Sequence, residues 1–221
     1  MATAFSLQRD VGALTGLAQT EIDALFAQLV DAAQAREALN DVLPALILQY
    51  GQAAAAMAAD WYDELRLEFG VAGRFTATPA QLGDPGAAAL VGWAETTSTD
   101  LSAMSSLIAG GVARRVGNWA RQTVMGSSLA DPRASGWQRV ARTNGCDFCV
   151  MLARRGAVYT QRGVNFGAHD DCNCGAAPKW SGRGDVFDVA DYRKSTRTDR
   201  TTDAQREASN ARARDWIANN L

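Results

Sequence analysis

All four cysteines of this 221-residue chain, and its single histidine, fall between positions 146 and 174. The order is Cys146-x2-Cys149, nineteen residues, then His169-x2-Cys172-x-Cys174. Donor pairs two residues apart, separated by roughly a dozen to twenty residues, are the pattern of two turns that each offer two ligands to one tetrahedral ion. Gly145 before the first pair and Asp170-Asp171 within the second suit such turns. A structural Zn2+ is therefore expected, held among Cys146, Cys149, His169, Cys172 and Cys174. Five donors compete for four places, and the x2 spacing favours Cys146, Cys149, His169 and Cys172. On an extended segment Cys172 and Cys174 would stand about 6–7 Å apart along the chain. That is wide for two thiolates that each reach zinc at about 2.3 Å, so Cys172 ranks above Cys174.

Such a module narrows the chemistry. A catalytic zinc keeps one position open and needs a general base, whereas every plausible donor here is usable as a ligand. The nucleic-acid deaminase signature needs a Glu two residues after its His, and a Pro-Cys-x2-Cys. Asp171 stands in the first place and the second is missing. A Ser-His-Asp or Cys-His hydrolase would need His169 as its base, and an imidazole bound to zinc cannot act so. No catalytic residue is assigned, and the chain is expected not to be an enzyme. Reduced core thiols without metal, or two disulfides, are the alternatives. Disulfides suit a secreted chain, and the opening MATAFSLQRDVGALTG lacks the basic start and apolar run of a secretory signal. A reducing cytosolic site of synthesis is the expectation. No stretch of about eighteen uncharged apolar residues offers a membrane span.

Residues 1–130 read as helical. Leu14, Leu17, Ile22, Leu25, Phe26 and Leu29 recur at helical spacing around a cap at Thr20. Asn40-Asp41 reads as the start of a longer helix, with Pro44 in its first turn. Leu43, Leu46, Ile47, Tyr50, Met57, Trp61 and Leu65 carry it to a stop at Gly70. After a loop over 71–85, a short helix covers 86–95. Ser98-Thr99-Asp100 caps another over about 100–125, weakened at Gly110-Gly111. Short strands are expected at 137–142, 157–160 and around 172–177. A polar tail from about 182 ends in a helix capped near Thr202 and running through Arg206, Ala211, Trp216 and Ile217. The fold class is α+β: a helical region at 1–130, a small zinc-stabilised α+β module at 131–182, and a tail with a C-terminal helix at 183–221.

The net charge of −2 hides an asymmetry. Residues 1–100 carry four Arg against 13 acids, net −9, while residues 101–221 carry 18 basic residues against 11 acids, net +7. Twenty of the 22 basic residues are Arg, and Ala is frequent, as a GC-rich coding genome would produce. Arg114, Arg115, Arg121, Arg139 and Arg142 fall in a stretch whose one acid up to residue 145 is Asp131. A helical basic stripe of this kind could meet DNA phosphates by charge alone; an acidic protein surface is the other partner it would suit. Trp119, Trp137 and Phe148 could stack on bases, although core packing is the commoner use of such rings.

Arg139-Val140-Ala141-Arg142, Cys146-Asp-Phe-Cys149-x2-Leu152, Arg155-Gly156-Ala157-Val158-Tyr159 and His169-Asp-Asp-Cys172-Asn-Cys174 together resemble the MuF-like minor head proteins of tailed phages, of the actinobacterial-phage type. Members often carry Pro after the His, where this chain has Asp170. The resemblance covers about 135–180. It implies a structural component of the virion, inside the phage head, built in the host cytoplasm and associated with the portal protein and with capsid or scaffold protein. It implies a role in head assembly, and beyond it in packaging or ejection of double-stranded DNA. No membrane and no small-molecule substrate are implied. The alternatives are a zinc-stabilised nonspecific DNA-binding protein and a capsid maturation protease; the single His argues against the protease.

Overall fold

The computed structural model describes residues 4–81, 83–141, 147–153, 159–160, 166–170, 174–181, 207 and 211. Helix α1 spans Ala4–Phe26, α2 Ala32–Glu68, α3 Ala87–Thr97 and α4 Leu101–Ala130. Strand β1 (Ala134–Val140), helix α5 (Asp147–Ala153) and strand β2 (Gly175–Trp180) follow. The architecture is mostly helical with a two-stranded antiparallel sheet, an α+β fold.

The caps explain where helices begin and end. Asp31 starts α2 by accepting the Gln34 N–H, and Asp100 starts α4 by accepting the Ala103 N–H at 2.8 Å. Gly70, at φ 56°, follows the end of α2 in the left-handed region. Two expected starts are overturned. Thr20 lies inside α1, where its hydroxyl donates to the Gly16 carbonyl at 3.0 Å rather than capping. Asn40-Asp41 lies inside α2, which opens at Ala32 and carries Pro44 in its interior. Burial of Ala35, Leu39 and Leu43 holds the early turns despite the proline. Gly110-Gly111 does not break α4, because Leu90 of α3 packs where side chains at Gly111 would stand.

Helix α4 is the central element, packed by α1, α2, α3 and both strands. Its Trp119 lies against Gly51 of α2; a Cβ there would fall 2.4 Å from the indole. Ala54 and Ala55 are buried beside it, while Ala53 and Ala56 face solvent. The core runs unbroken from Leu7 and Ile22 through Ile47, Tyr62 and Val116 to Trp137, Cys149 and Trp180. The helices and the residues that follow therefore share one apolar interior. Helix α2 also contains an 18-residue window of mean hydropathy 1.4, long and apolar enough to cross a membrane by length and composition. Half of that window is buried inside the fold, which accounts for its apolar character.

β1 pairs with β2 in a register that sets Trp137 against Pro178 and Val140 against Gly175. Tyr159 bridges the other edge of β1 at Trp137, where Gly136, at φ 142°, leaves room for the Tyr159 carbonyl. The expected strand at 137–142 is thus seen at Ala134–Val140, and that around 172–177 at Gly175–Trp180. Apart from Tyr159 and Thr160, the strand expected at 157–160 lies outside the described residues, as does the tail apart from Glu207 and Ala211.

Candidate functional site

Strands β1 and β2, which flank the cysteine–histidine segment in the sequence, pack against α4. Cys149 lies on α5 and is buried at 1% exposure. A seven-residue helix therefore stands where a tight metal-binding turn was expected, since Phe148, Val150 and Leu152 turn toward the core. Cys174, just before β2, is also buried, and His169 is exposed on the 166–170 segment. Cys146 and Cys172 lie outside the described residues. Among the described residues no three His, Cys, Asp or Glu side chains gather as a metal site. The described geometry thus gives the zinc clamp no support by itself. A four-donor centre would need Cys146 and Cys172 together with two of Cys149, His169 and Cys174. Cys174 also lines a cavity of about 30 Å3 between α1, α4 and the sheet, with Gln8, Gly117 and Arg121.

Two of the five arginines of the expected basic stripe, Arg121 and Arg139, are interior groups. Arg121 is 4% exposed; its Nε donates to the Cys174 carbonyl at 3.0 Å and its Nη1 to the Arg114 carbonyl at 3.3 Å. Arg139 is 5% exposed, and its guanidinium carbon lies 3.8 Å from the Phe166 ring centroid. Neither can meet a phosphate backbone in this arrangement. The physical reason is that α4 is enclosed by neighbours on several sides, and a planar guanidinium can satisfy buried carbonyls from several donors. Arg115 clamps the turn before α3, donating to the carbonyls of Pro85, Gly86 and Gly111 at 2.9, 3.0 and 3.1 Å. Burial lowers its pKa, as does the nearby Arg114 charge. Arg114 keeps a half-exposed side chain and pairs with Asp170 at 2.6 Å. Arg142 lies outside the described residues. Trp119 and Trp137 are core residues at 2% and 0% exposure, while Phe148 is partly buried.

Among the described residues of this region, the buried donors Arg139 Nε, Trp137 Nε1 and the Tyr159 hydroxyl make no hydrogen bond. All three side chains belong to one ring stack. Trp137 lies 4.3 Å from Tyr159 and 5.9 Å from Phe166, with Arg139 over Phe166. Sequence reasoning had no means to find this cluster, because Phe166 carries no motif.

A second buried constellation was also missed. Asp131, the C-cap of α4, accepts from Arg66 Nε at 2.9 Å, Trp180 Nε1 at 3.1 Å and the Tyr62 hydroxyl at 3.3 Å through one oxygen. Its other oxygen accepts the Arg133 N–H at 2.9 Å. Arg66 also donates to the carbonyls of Val71, Ala72 and Gly73. Burial acts to raise the Asp131 carboxyl, but the Arg133, Arg66 and Trp180 hydrogen bonds and the Arg66 charge outweigh it and hold the pKa down. Burial, reinforced by the Asp131 charge, pushes the Tyr62 hydroxyl up. The acid, held by one guanidinium and three neutral donors, is a fold anchor.

Fold and site define a helical α+β protein whose small cysteine-bearing sheet is fixed to a central helix by buried arginines. The chain belongs to the VG15 protein family, a family of phage proteins, whose profile matches residues 2–198. No curated protein matches it, and no solved structure does.

Proposed function

We propose that this chain is a structural minor head protein of a tailed phage, of MuF-like type. It is associated with the portal and acts in head assembly, with DNA packaging or ejection as the setting. The observation that carries this reading is membership of a phage protein family across residues 2–198, joined to the Arg139–Cys174 motif. The acidic helical half supplies the docking face for portal, capsid or scaffold protein, and the protein has no catalytic step of its own. It works inside the head, after assembly in the host cytoplasm.

A single structural Zn2+ belongs to this reading. Two of Cys149, His169 and Cys174, with Cys146 and Cys172, would hold it. When bound it would link α5 to the start of β2 and add its binding free energy to folding. The Cys/His spacing supports this. The test is co-expression with the portal protein of the same phage followed by size-exclusion chromatography. Co-elution that survives moderate salt is expected. Separate elution at every protein concentration would contradict the portal association.

A further inference from the structure

We infer that the outer face of the α1–α2 hairpin is the docking groove for one partner helix, apolar along its length, with an Arg or Lys at its middle and basic residues at its ends. The inference rests on the docking reading above and names the place and the partner's chemistry. Helices α1 and α2 are joined by the short segment 27–31 and run antiparallel. No charge falls between Asp10 and Glu21 on α1, nor between Asp41 and Asp60 on α2. The outer face of a surface helix ordinarily carries charge, and this span of α2 covers about five turns. Ala45, Gln49, Ala53 and Ala56 of α2 face solvent there, as do Ala13 and Gly16 of α1. Leu17 and Val42 are 57% and 40% exposed. The fold buries only half of the most apolar window of α2.

One charge stands level with the middle of the α2 span. Glu21 is exposed, and one of its oxygens accepts the Tyr50 hydroxyl of α2 at 2.6 Å. This bond sets the helices in register, so Leu17, one turn earlier in α1, stands level with Ala53 and Ala54, one turn later in α2. Among the described residues no cation pairs with Glu21. Tyr50 thus holds a carboxylate whose second oxygen is open to a guanidinium or ammonium group. Asp60 and Glu64 close one end of the face and Asp41 the other, while Arg9 and Asp10 offset each other as an ion pair at 2.8 Å. The small side chains between them let a helix approach closely. A second copy of this chain is the wrong occupant. A two-fold contact uses the same face twice, and here it would set acids against acids, which is costly. A DNA phosphate is excluded by the same sign of charge.

The test places a photo-reactive amino acid at Ala53 of the full chain during infection, with Gly126 on the exposed side of α4 as the control position. Mass spectrometry then identifies the cross-linked peptide. Position 53 should capture an apolar helical segment with basic residues at its middle and ends, from another phage protein. In a Glu21→Lys background the yield should fall about tenfold or more, because like charges would then meet. Glu21→Gln still accepts the Tyr50 hydroxyl and should lower the yield a few-fold; it decides the matter if Glu21→Lys fails to fold. If the captured peptide belongs to the portal protein, both readings stand. If it has this chemistry but belongs to another phage protein, the groove stands and the portal association falls. Capture of the chain's own sequence or of a segment without basic residues would overturn the inference. So would a yield no greater than at position 126, or one unchanged by the Glu21 variants.

Discussion

The Arg66 guanidinium donates to the Asp131 carboxylate at 2.9 Å, with 9% and 0% of the two side chains exposed. This pair joins the last turn of α2 to the end of α4 and, through Trp180, to the end of β2. It is fully furnished with hydrogen bonds, which is the condition for a buried ion pair to hold together. The loop at 71–73 is fixed by the same guanidinium.

Asp131→Ala should lower unfolding stability by about 3–5 kcal/mol, because Arg66 would remain buried without its counter-ion. Replacing Arg66 by Met in that background should recover a substantial part of the loss. Chemical denaturation of both variants measures this. A single variant as stable as the wild type would show that the pair is not an anchor.

Gly51→Ala should destabilise by about 1–3 kcal/mol through overpacking against Trp119, since the added Cβ would stand 2.4 Å from the indole nitrogen. Gly16→Ala, on an open face of α1 with nothing within 4 Å, should instead stabilise by about 0.5–1 kcal/mol. Thermal melts of the two side by side give opposite signs if the helix contact is as described.

Stability should fall at both ends of the pH range. The lowered Asp131 pKa adds stability above the unfolded carboxyl value of about 4, lost as pH falls through the folded value. The raised Tyr62 pKa adds stability below the unfolded value of about 10, lost as pH climbs toward the folded one. Asp131→Asn should flatten the acid limb and Tyr62→Phe the alkaline limb of denaturation midpoint against pH. Limbs unchanged in these variants would place the titration elsewhere.

Arg121→Met should cost about 1–3 kcal/mol of stability through its lost carbonyl bonds and leave nonspecific DNA binding at low salt unchanged. A gel-shift series beside a melt separates the two effects. Weaker DNA binding at unaltered stability would restore Arg121 to a basic surface.

Much of the helical frame was legible in the sequence. Asp100, Gly70 and the apolar spacing of α2 act locally, so a linear reading finds them. The early starts of α1 and α2 were not, because Thr20 and Asn40 look like caps only until tertiary burial extends the helix past them. The arginines misled for a related reason. Charge clustered in sequence looks like a surface stripe, and only the packing of α1 and the sheet onto α4 reveals Arg121 and Arg139 as interior groups. The Asp131 anchor joins residues 65 and 49 positions apart, with no spacing rule to signal it. The donor spacing of the cysteine module was plain; that Cys149 belongs to a helix was not.

The central claim, a minor head component at the portal, is tested most directly by quantitative mass spectrometry of purified proheads and virions, with and without the portal gene. The account predicts the chain in a few copies per particle when the portal is present, and its loss when the portal is deleted. Normal particles lacking the chain, although it is expressed during infection, would contradict it.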